Sequence, residues 1–291
     1  MNEHMQTSAP ADTFNAEVAN GARFQFGENW SAFLTVLDDE RIEEAISSLR
    51  EMLGRRDLAG MTFLDVGSGS GLFSLAAARM GAQRVNSFDY DPSSVRCTQE
   101  LRRRYAPGDG DWTIEHGSAL DADYIRSLGR FDIVYSWGVL HHTGDMWAAL
   151  GNTVEAVADG GRLFISIYND QGPRSHLWRT VKRIYNALPR TLRLPFTLIV
   201  MIPRESLTAL KAVAVGRPQE YVRGWTNYKR SRGMSRWHDL VDWVGGYPFE
   251  VATPEAIFDF ARSRGFLLER LVTCGGGLGC NQYVFARSGA A

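Results

Sequence analysis

Residues 63 to 71 read Phe63-Leu64-Asp65-Val66-Gly67-Ser68-Gly69-Ser70-Gly71: an apolar run holding one acid, then glycines at alternate positions, then an apolar helical stretch from Leu72 to Met80. A strand, a glycine turn and a helix in that order bring backbone N–H groups close to a nucleotide-like cofactor. Positions without Cβ permit the approach, and a helix N-terminus favours it. A dinucleotide site uses G-x-G-x-x-G; here the glycines alternate and Leu72 stands at the third place after Gly69, so the spacing departs from that fingerprint. Asp65, just ahead of the turn, suits a ligand carrying a cationic amine.

Around this turn the periodicity alternates. Strands over 62–66, 84–89, 112–116, 131–136 and 161–168 interleave with helices over 71–80, 92–105, about 121–128 and 145–158, the rhythm of a parallel, doubly wound sheet. A helix over 254–264, opened by Thr253-Pro254 and stopped by Gly265, precedes strands around 266–273 and 281–287. Upstream, Asp38 to Leu53 places Ile42, Ala45, Ile46, Leu49, Met52 and Leu53 at helical spacing. Phe24, Phe26, Trp30 and Phe33 crowd into ten residues ahead of it, a density that predicts a flap. Met1 to Asn20 is polar and lacks a basic segment followed by an apolar one; a disordered tail with no secretory leader is expected there.

The acid, one residue, and G-x-G-x-G after the first strand, with the later elements in order from about residue 60 to 287, resemble the class I S-adenosylmethionine-dependent methyltransferases. The chain looks similar to the small-molecule branch that includes ubiquinone-biosynthesis O-methyltransferases. The resemblance implies an α/β, Rossmann-like fold with a doubly wound, mostly parallel seven-stranded sheet, and S-adenosylmethionine as cofactor. The chain then divides into a tail (1–20), an aromatic flap and helix (21–58), a cofactor-binding catalytic domain (59–169 and 253–291), and a helical cap insertion (170–252).

On this resemblance Asp65, Gly67, Ser68, Gly69 and Gly71 line the cofactor. Asp89, at the end of the second strand, has two acceptor oxygens for the ribose hydroxyls, with Tyr90 beside it, while Asp91 caps the helix that begins at Pro92. Many family members carry an acid for the adenine amino group after a glycine that follows strand three. Here Gly117 is followed by Ser118, a departure, and Ser118 with the Ala119 N–H is left to read the adenine edge or to cap a helix. Trp137 and Gly138, at the end of strand four, are expected to floor the site.

His141 and His142 follow directly and are candidates for proton transfer, since an imidazole titrates in the useful range; packing of the loop is the alternative. His238, Asp239 and Tyr247 form a second group of base or orienting candidates, with Phe26, Trp30, Trp237 and Trp243 as pocket walls. The bland alternative is that Trp237, Trp243 and Phe249 anchor the insertion to the core. Cys97, Cys274 and Cys280 form no C-x-x-C pair and no metal cluster with histidine, so reduced cytoplasmic thiols and no metal are expected. The Cys274–Cys280 stretch reads as a glycine-rich hairpin loop near the pocket mouth.

Charge singles out the insertion. The chain carries 32 basic and 33 acidic residues, yet residues 171–240 hold 14 Lys or Arg against three acids, together with the apolar run Leu192 to Ile202. That pattern predicts a cap over an anionic small-molecule acceptor, with peripheral membrane contact through 171–240 as a further possibility; the expected location is the cytoplasm, with membrane association as the alternative. The run is too short to span a bilayer. Nucleic acid is disfavoured, because Ser136-Trp137-Gly138-Val139 stands where amino-directed nucleic-acid methyltransferases carry an Asn-Pro-Pro-Tyr type motif.

Methyl transfer needs alignment more than covalent help, and without a decisive base the expected acceptor is a small thiol or sulfide, or an acidic hydroxyl. A prenylated phenol or quinol at a membrane surface is the alternative. A nicotinamide-dependent oxidoreductase and a non-catalytic cofactor-binding partner are the readings from other classes. Nothing in the pattern fixes an oligomeric state.

Overall fold

Helical and strand periodicities settle into the alternation they require. The computed structural model describes residues 10–27, 30, 33–108, 110–226 and 236–289, with backbone alone at 10, 11, 224–226 and 236–239. Chain order is α1 (Pro10–Ala19), α2 (Asp39–Leu53), β1 (Thr62–Val66), α3 (Leu72–Arg79), β2 (Arg84–Asp89), α4 (Pro92–Tyr105), β3 (Trp112–His116), α5 (Ala122–Leu128), β4 (Phe131–Trp137), α6 (Met146–Glu155), β5 (Val157–Tyr168), α7 (Pro173–Ala187), α8 (Arg190–Ala214), α9 (Pro218–Thr226), α10 (Arg236–Gly245), α11 (Pro254–Arg262), β6 (Phe266–Val272) and β7 (Cys280–Arg287).

The strands form one seven-stranded sheet in the order β3-β2-β1-β4-β5-β7-β6. All neighbours pair in parallel except β7, which runs antiparallel to β5 and β6. Strand order reverses between β1 and β4, so the crevice at their C-terminal ends is where an open α/β sheet takes a ligand.

Successive residues feed opposite faces. Phe63, Val85, Ile133, Tyr135, Phe164 and Val284 join the core under α2, α3 and α4, while Leu64, Val66, Phe88, Val134, Leu163 and Ile165 join the core under α6 and α11. That is why β1 reads as a continuous apolar run instead of alternating. Asp38 caps α2 by accepting from the Arg41 N–H, and Asp91 caps α4 by accepting from the Ser93 N–H, with Pro92 in its first turn.

A third, smaller core holds Phe24 from the N-terminal segment, Tyr185 from α7, Met201 from α8, and Leu240 and Val244 from α10. The flap and the insertion therefore form one layer, linked by aromatic side chains.

Two expectations change. Residues 10–19, placed in a disordered tail, form α1, because Phe14 is buried and packs edge-on against Tyr90 with ring centroids 5.5 Å apart; residues 1–9 lie outside the described residues. Strand five begins at Val157 instead of 161, and α6 correspondingly ends at Glu155, because Val157 pairs with Phe131 across an irregularity in the β4–β5 register.

Candidate active site

The glycine turn sits at the C-terminal end of β1, beside the crevice. Gly67, Gly69 and Gly71 have φ of 80°, 55° and 81°, the left-handed region that L side chains avoid. Space is short as well. A Cβ at Gly67 would lie 2.3 Å from Val139 Cγ1, and one at Gly69 would lie 3.1 Å from the Trp30 indole.

Asp89 fixes the turn from the side. One carboxylate oxygen accepts from the Gly69 N–H and the other from the Asp91 N–H, each at 2.8 Å. Each oxygen keeps a free lone pair, which suits a ligand presenting two hydroxyls. Burial pushes the Asp89 carboxyl up to about 7, against the pull of those two N–H groups.

Asp65 is placed differently from expectation. Its carboxyl is buried and turned inward, where Ser74 Oγ donates to it at 2.5 Å. Behind Ser74 a chain of donors runs from Trp112 Nε1 to Ser87 Oγ and on to Ser74 Oγ, both at 2.7 Å. Burial raises Asp65 to about 7. The carboxyl thus ties β1, α3 and β2 together; a contact with a ligand amine is not part of this arrangement.

Ser68 Oγ is buried and bonded to Thr98 Oγ1 at 3.0 Å. Ser118 Oγ accepts from the Leu120 N–H at 3.2 Å, which is the turn-capping alternative, and the Ala119 carbonyl accepts from Asn152 Nδ2 at 2.9 Å. Gly138 follows the strand at φ 75°. Trp137 is 42% exposed and its Nε1 donates to Gln282 Oε1 on β7, so its indole reaches across β5 instead of flooring the turn.

The N-terminal segment straps this half of the site. The Gly27 N–H donates to Asp91 Oδ2 at 2.8 Å. The Arg23 guanidinium lies 4.9 Å over the Tyr90 ring and donates to the carbonyls of His142 and Thr143 at 2.8 and 3.1 Å. Phe26 packs on the His142 ring at 4.8 Å.

From His142 a continuous aromatic cluster extends into the insertion. Tyr168, the last residue of β5, contacts His141 at 4.0 Å, His142 at 5.5 Å, Phe249 at 5.2 Å and Trp243 at 5.9 Å, and Trp243 contacts Trp178 at 5.6 Å. The tautomers of the two histidines follow from their partners. His142 Nδ1 faces the Pro248 carbonyl at 2.6 Å and must donate, leaving Nε2 as the lone-pair nitrogen. His141 Nδ1 accepts from the Tyr168 N–H at 3.3 Å, which puts its proton on Nε2, a buried donor with no partner among the described residues.

Geometry therefore removes His141 as a base. Burial and the nearby Lys182 hold His142 down to about 3, so it is a weak proton acceptor near neutrality. Burial likewise holds His141 well below the ordinary imidazole range.

The second group of candidates does not assemble as expected. Tyr247 accepts the Phe24 N–H at its carbonyl and lines an open groove with Asn20, Arg179, Arg183, Phe249 and Glu250. The side chains of Trp237, His238 and Asp239 lie outside the described residues. Trp243 and Phe26 are in the cluster; Trp30 lies on the cofactor side, against Gly69.

Sequence reading missed Lys182, Tyr168 and Arg23 as members of the site. For Lys182 a signal existed: on α7 it shares a stripe with Trp178, Val181 and Tyr185 at helical spacing, where an apolar residue belongs. Among the described residues no group of three His, Cys, Asp or Glu could hold a metal.

A family model described as a methyltransferase domain matches residues 38–212. Two curated relatives are ubiquinone biosynthesis O-methyltransferases. That of Methylobacterium sp. (strain 4-46) is 31% identical over 120 residues, 41% of this chain and 46% of the relative. That of Xanthomonas oryzae pv. oryzae (strain PXO99A) is 35% identical over 115 residues, 40% of this chain and 46% of the relative. The chain thus spans about half the length of the curated relatives it matches. Among solved structures, an O-methyltransferase family protein from Burkholderia thailandensis shares the fold with a TM-score of 0.51 at 15% identity, covering 86% of this chain and 57% of the other.

Proposed function

The chain belongs to the methyltransferase domain family, with the class I S-adenosylmethionine-dependent fold, and on that premise we propose that it transfers a methyl group from S-adenosylmethionine to an acidic hydroxyl of an aromatic small molecule. One observation carries the reading: a single N-terminal strap joins the glycine turn with Asp89 to an aromatic cluster whose histidines are poor bases. An acceptor of low pKa needs little help in losing its proton. The relatives named as O-methyltransferases point the same way.

Gly67 and Gly69 would admit the cofactor's backbone contacts, and Asp89 would take its ribose hydroxyls. The cofactor supplies a methyl group on a sulfonium, a good leaving group. The strap at Arg23, Phe26 and Trp30 and the walls at Tyr168, Trp243 and Phe249 would exclude water and align the acceptor.

The test is formation of S-adenosylhomocysteine by the purified protein supplied with S-adenosylmethionine and, in parallel, a small catechol, a prenylated catechol and small thiols. Turnover with the catechols supports the reading. Turnover confined to thiols transfers it to S-methylation, and binding of S-adenosylhomocysteine without turnover on any of them removes the acceptor class.

A second reading concerns α8. Its outer face exposes Leu194, Ile199, Ile202, Leu207, Leu210 and Val213, interspersed with Arg190, Arg204 and Lys211, and no described helix is long and apolar enough to cross a membrane. Such a face suits an anionic bilayer surface, on which a prenylated acceptor would be delivered. Co-flotation with phosphatidylglycerol vesicles, lost in Ile199→Glu, is the expected result; no flotation of the unaltered protein removes this reading.

A further inference from the structure

Lys182 is a lysine where a lysine is costly. It is 0% exposed, and its Nζ donates to the Trp243 carbonyl and lies 4.9 Å from the Phe249 ring centroid and 5.4 Å from that of Trp243. Among the described residues, Asp242 of α10 and Cys280 of β7 act on its charge. An ammonium has three donors and no acceptor, and a charge buried without a counter-ion costs several kcal/mol unless something pairs with it. Methionine or leucine would serve the apolar stripe of α7 better.

The surroundings share one deficiency. His141 Nε2 and Trp243 Nε1 are both buried without a hydrogen-bond partner among the described residues; the first carries a proton by its tautomer, and the second is always a donor. Both belong to the ring cluster that contains Lys182. Buried donors around a cation suit an acceptor with negative charge.

We propose that Lys182 receives the proton of the acceptor's aromatic hydroxyl and holds the resulting phenolate for methylation. The inference rests on the proposed methyl transfer to an acidic hydroxyl and identifies the group that ionises it. The hydroxyl O–H bond breaks and the proton passes to the lone pair of the neutral amine, giving an ammonium. The oxygen keeps the electron pair that forms the new C–O bond. The pair of the broken sulfur–methyl bond returns to sulfur, and the ammonium proton leaves to solvent with the product.

The electrostatics fit the role. Burial pushes Lys182 down to about 7, so a neutral amine is populated near physiological pH. Asp242 of α10 and Cys280 of β7 pull it back upward. His141 and His142 face it as neutral rings, and Arg204 of α8 lies 5.6 Å over the Trp243 ring. The two histidines cannot substitute, the first because its Nε2 bears a proton and the second because it is too weak a base.

The experiment pairs two variants with two acceptors. Lys182→Met fits the apolar stripe; Lys182→Arg keeps a cation that cannot take a proton. Catechol must lose its proton at the site, while 4-nitrocatechol is readily ionised and its absorbance reports its state. Calorimetric binding of S-adenosylhomocysteine, unchanged in both variants, establishes that each is folded.

With the unaltered protein, the ionisation midpoint of bound 4-nitrocatechol should fall by about one pH unit or more, a tenfold preference for the anion. Lys182→Arg should keep that shift yet lose about 100-fold in kcat/KM with catechol, the usual contribution of a proton acceptor. Lys182→Met should lose both. Catechol methylated by Lys182→Met at the unaltered kcat/KM overturns the inference and leaves methyl transfer standing. A 4-nitrocatechol shift that depends on Lys182, with no methyl transfer to any hydroxyl, keeps the anion site and removes the proposed reaction. Absence of any shift in the unaltered protein overturns the inference.

Discussion

The cofactor half and the acceptor half of this site are built by different means. The first is backbone: three left-handed glycines within five residues, two N–H groups held by Asp89, and a strand end fixed by the sheet. The second is side chains drawn from distant places, with Phe26, His141, His142, Tyr168, Lys182, Trp243 and Phe249 meeting only because the N-terminal strap and the insertion fold onto the same edge. A backbone cradle tolerates almost no substitution at its few positions. A wall of packed rings spreads the work, so single changes there should tune more than abolish.

The sharpest way to break that comparison is Gly67→Val. A β-branched residue at φ 80°, with its Cβ against Val139, costs about 2–6 kcal/mol in strain and overlap, which the turn can relieve only by moving. Binding of S-adenosylhomocysteine should weaken by about 1000-fold or more in calorimetry, with the melting transition retained. Asp89→Ala comes next: loss of two charge-assisted hydrogen bonds to a ligand predicts about 100-fold weaker binding. Retained affinity in both variants would falsify the placement of the cofactor.

The same contrast explains what the sequence could and could not disclose. β1, β2, β3 and α4 were readable to the residue because strand apolarity, Asp91-Pro92 capping and the glycine turn are local signals. The place of Asp89 at the end of β2 was readable for the same reason. The inward hydrogen bond of Asp65 was not, because Ser74 and, behind it, Ser87 reach it only once α3 crosses back over β2. The direction of Trp137 was not readable for a similar reason: it is set by Gln282, far away in sequence. α1 was missed because its helix is held by one buried ring, Phe14, against Tyr90, while its composition is polar.

Trp30 joins the two halves and sharpens the comparison. Its indole lies against Gly69 and edge-on to Phe33 at 6.2 Å, so it covers the backbone cradle with a side chain from the strap. Trp30→Ala removes part of one large ring's burial, about 1.4 kcal/mol, and should raise the dissociation constant for S-adenosylhomocysteine about tenfold. Fluorescence titration measures it; an unchanged constant would show that the strap packs on the turn without covering the ligand.

The smallest effect reads the two halves by their acid–base signs. In the cofactor half, Asp65 and Asp89 are raised to about 7 from near 3.8; the stability they contribute is fully present below the unfolded value and is lost as pH rises through 7. In the acceptor half, His142 is lowered to about 3 from 6.5; its contribution is present above 6.5 and is lost as pH falls toward 3. The halves therefore pull in opposite directions between pH 4 and 7. His142→Gln, whose amide can still donate to the Pro248 carbonyl, should flatten the fall of melting temperature from pH 6.5 to 4. Asp65→Asn should flatten the fall from pH 4 to 7. If His142→Gln leaves the acid limb as steep as before, the histidine pair is not held neutral by the ring cluster, and the argument that the site lacks a histidine base loses its footing.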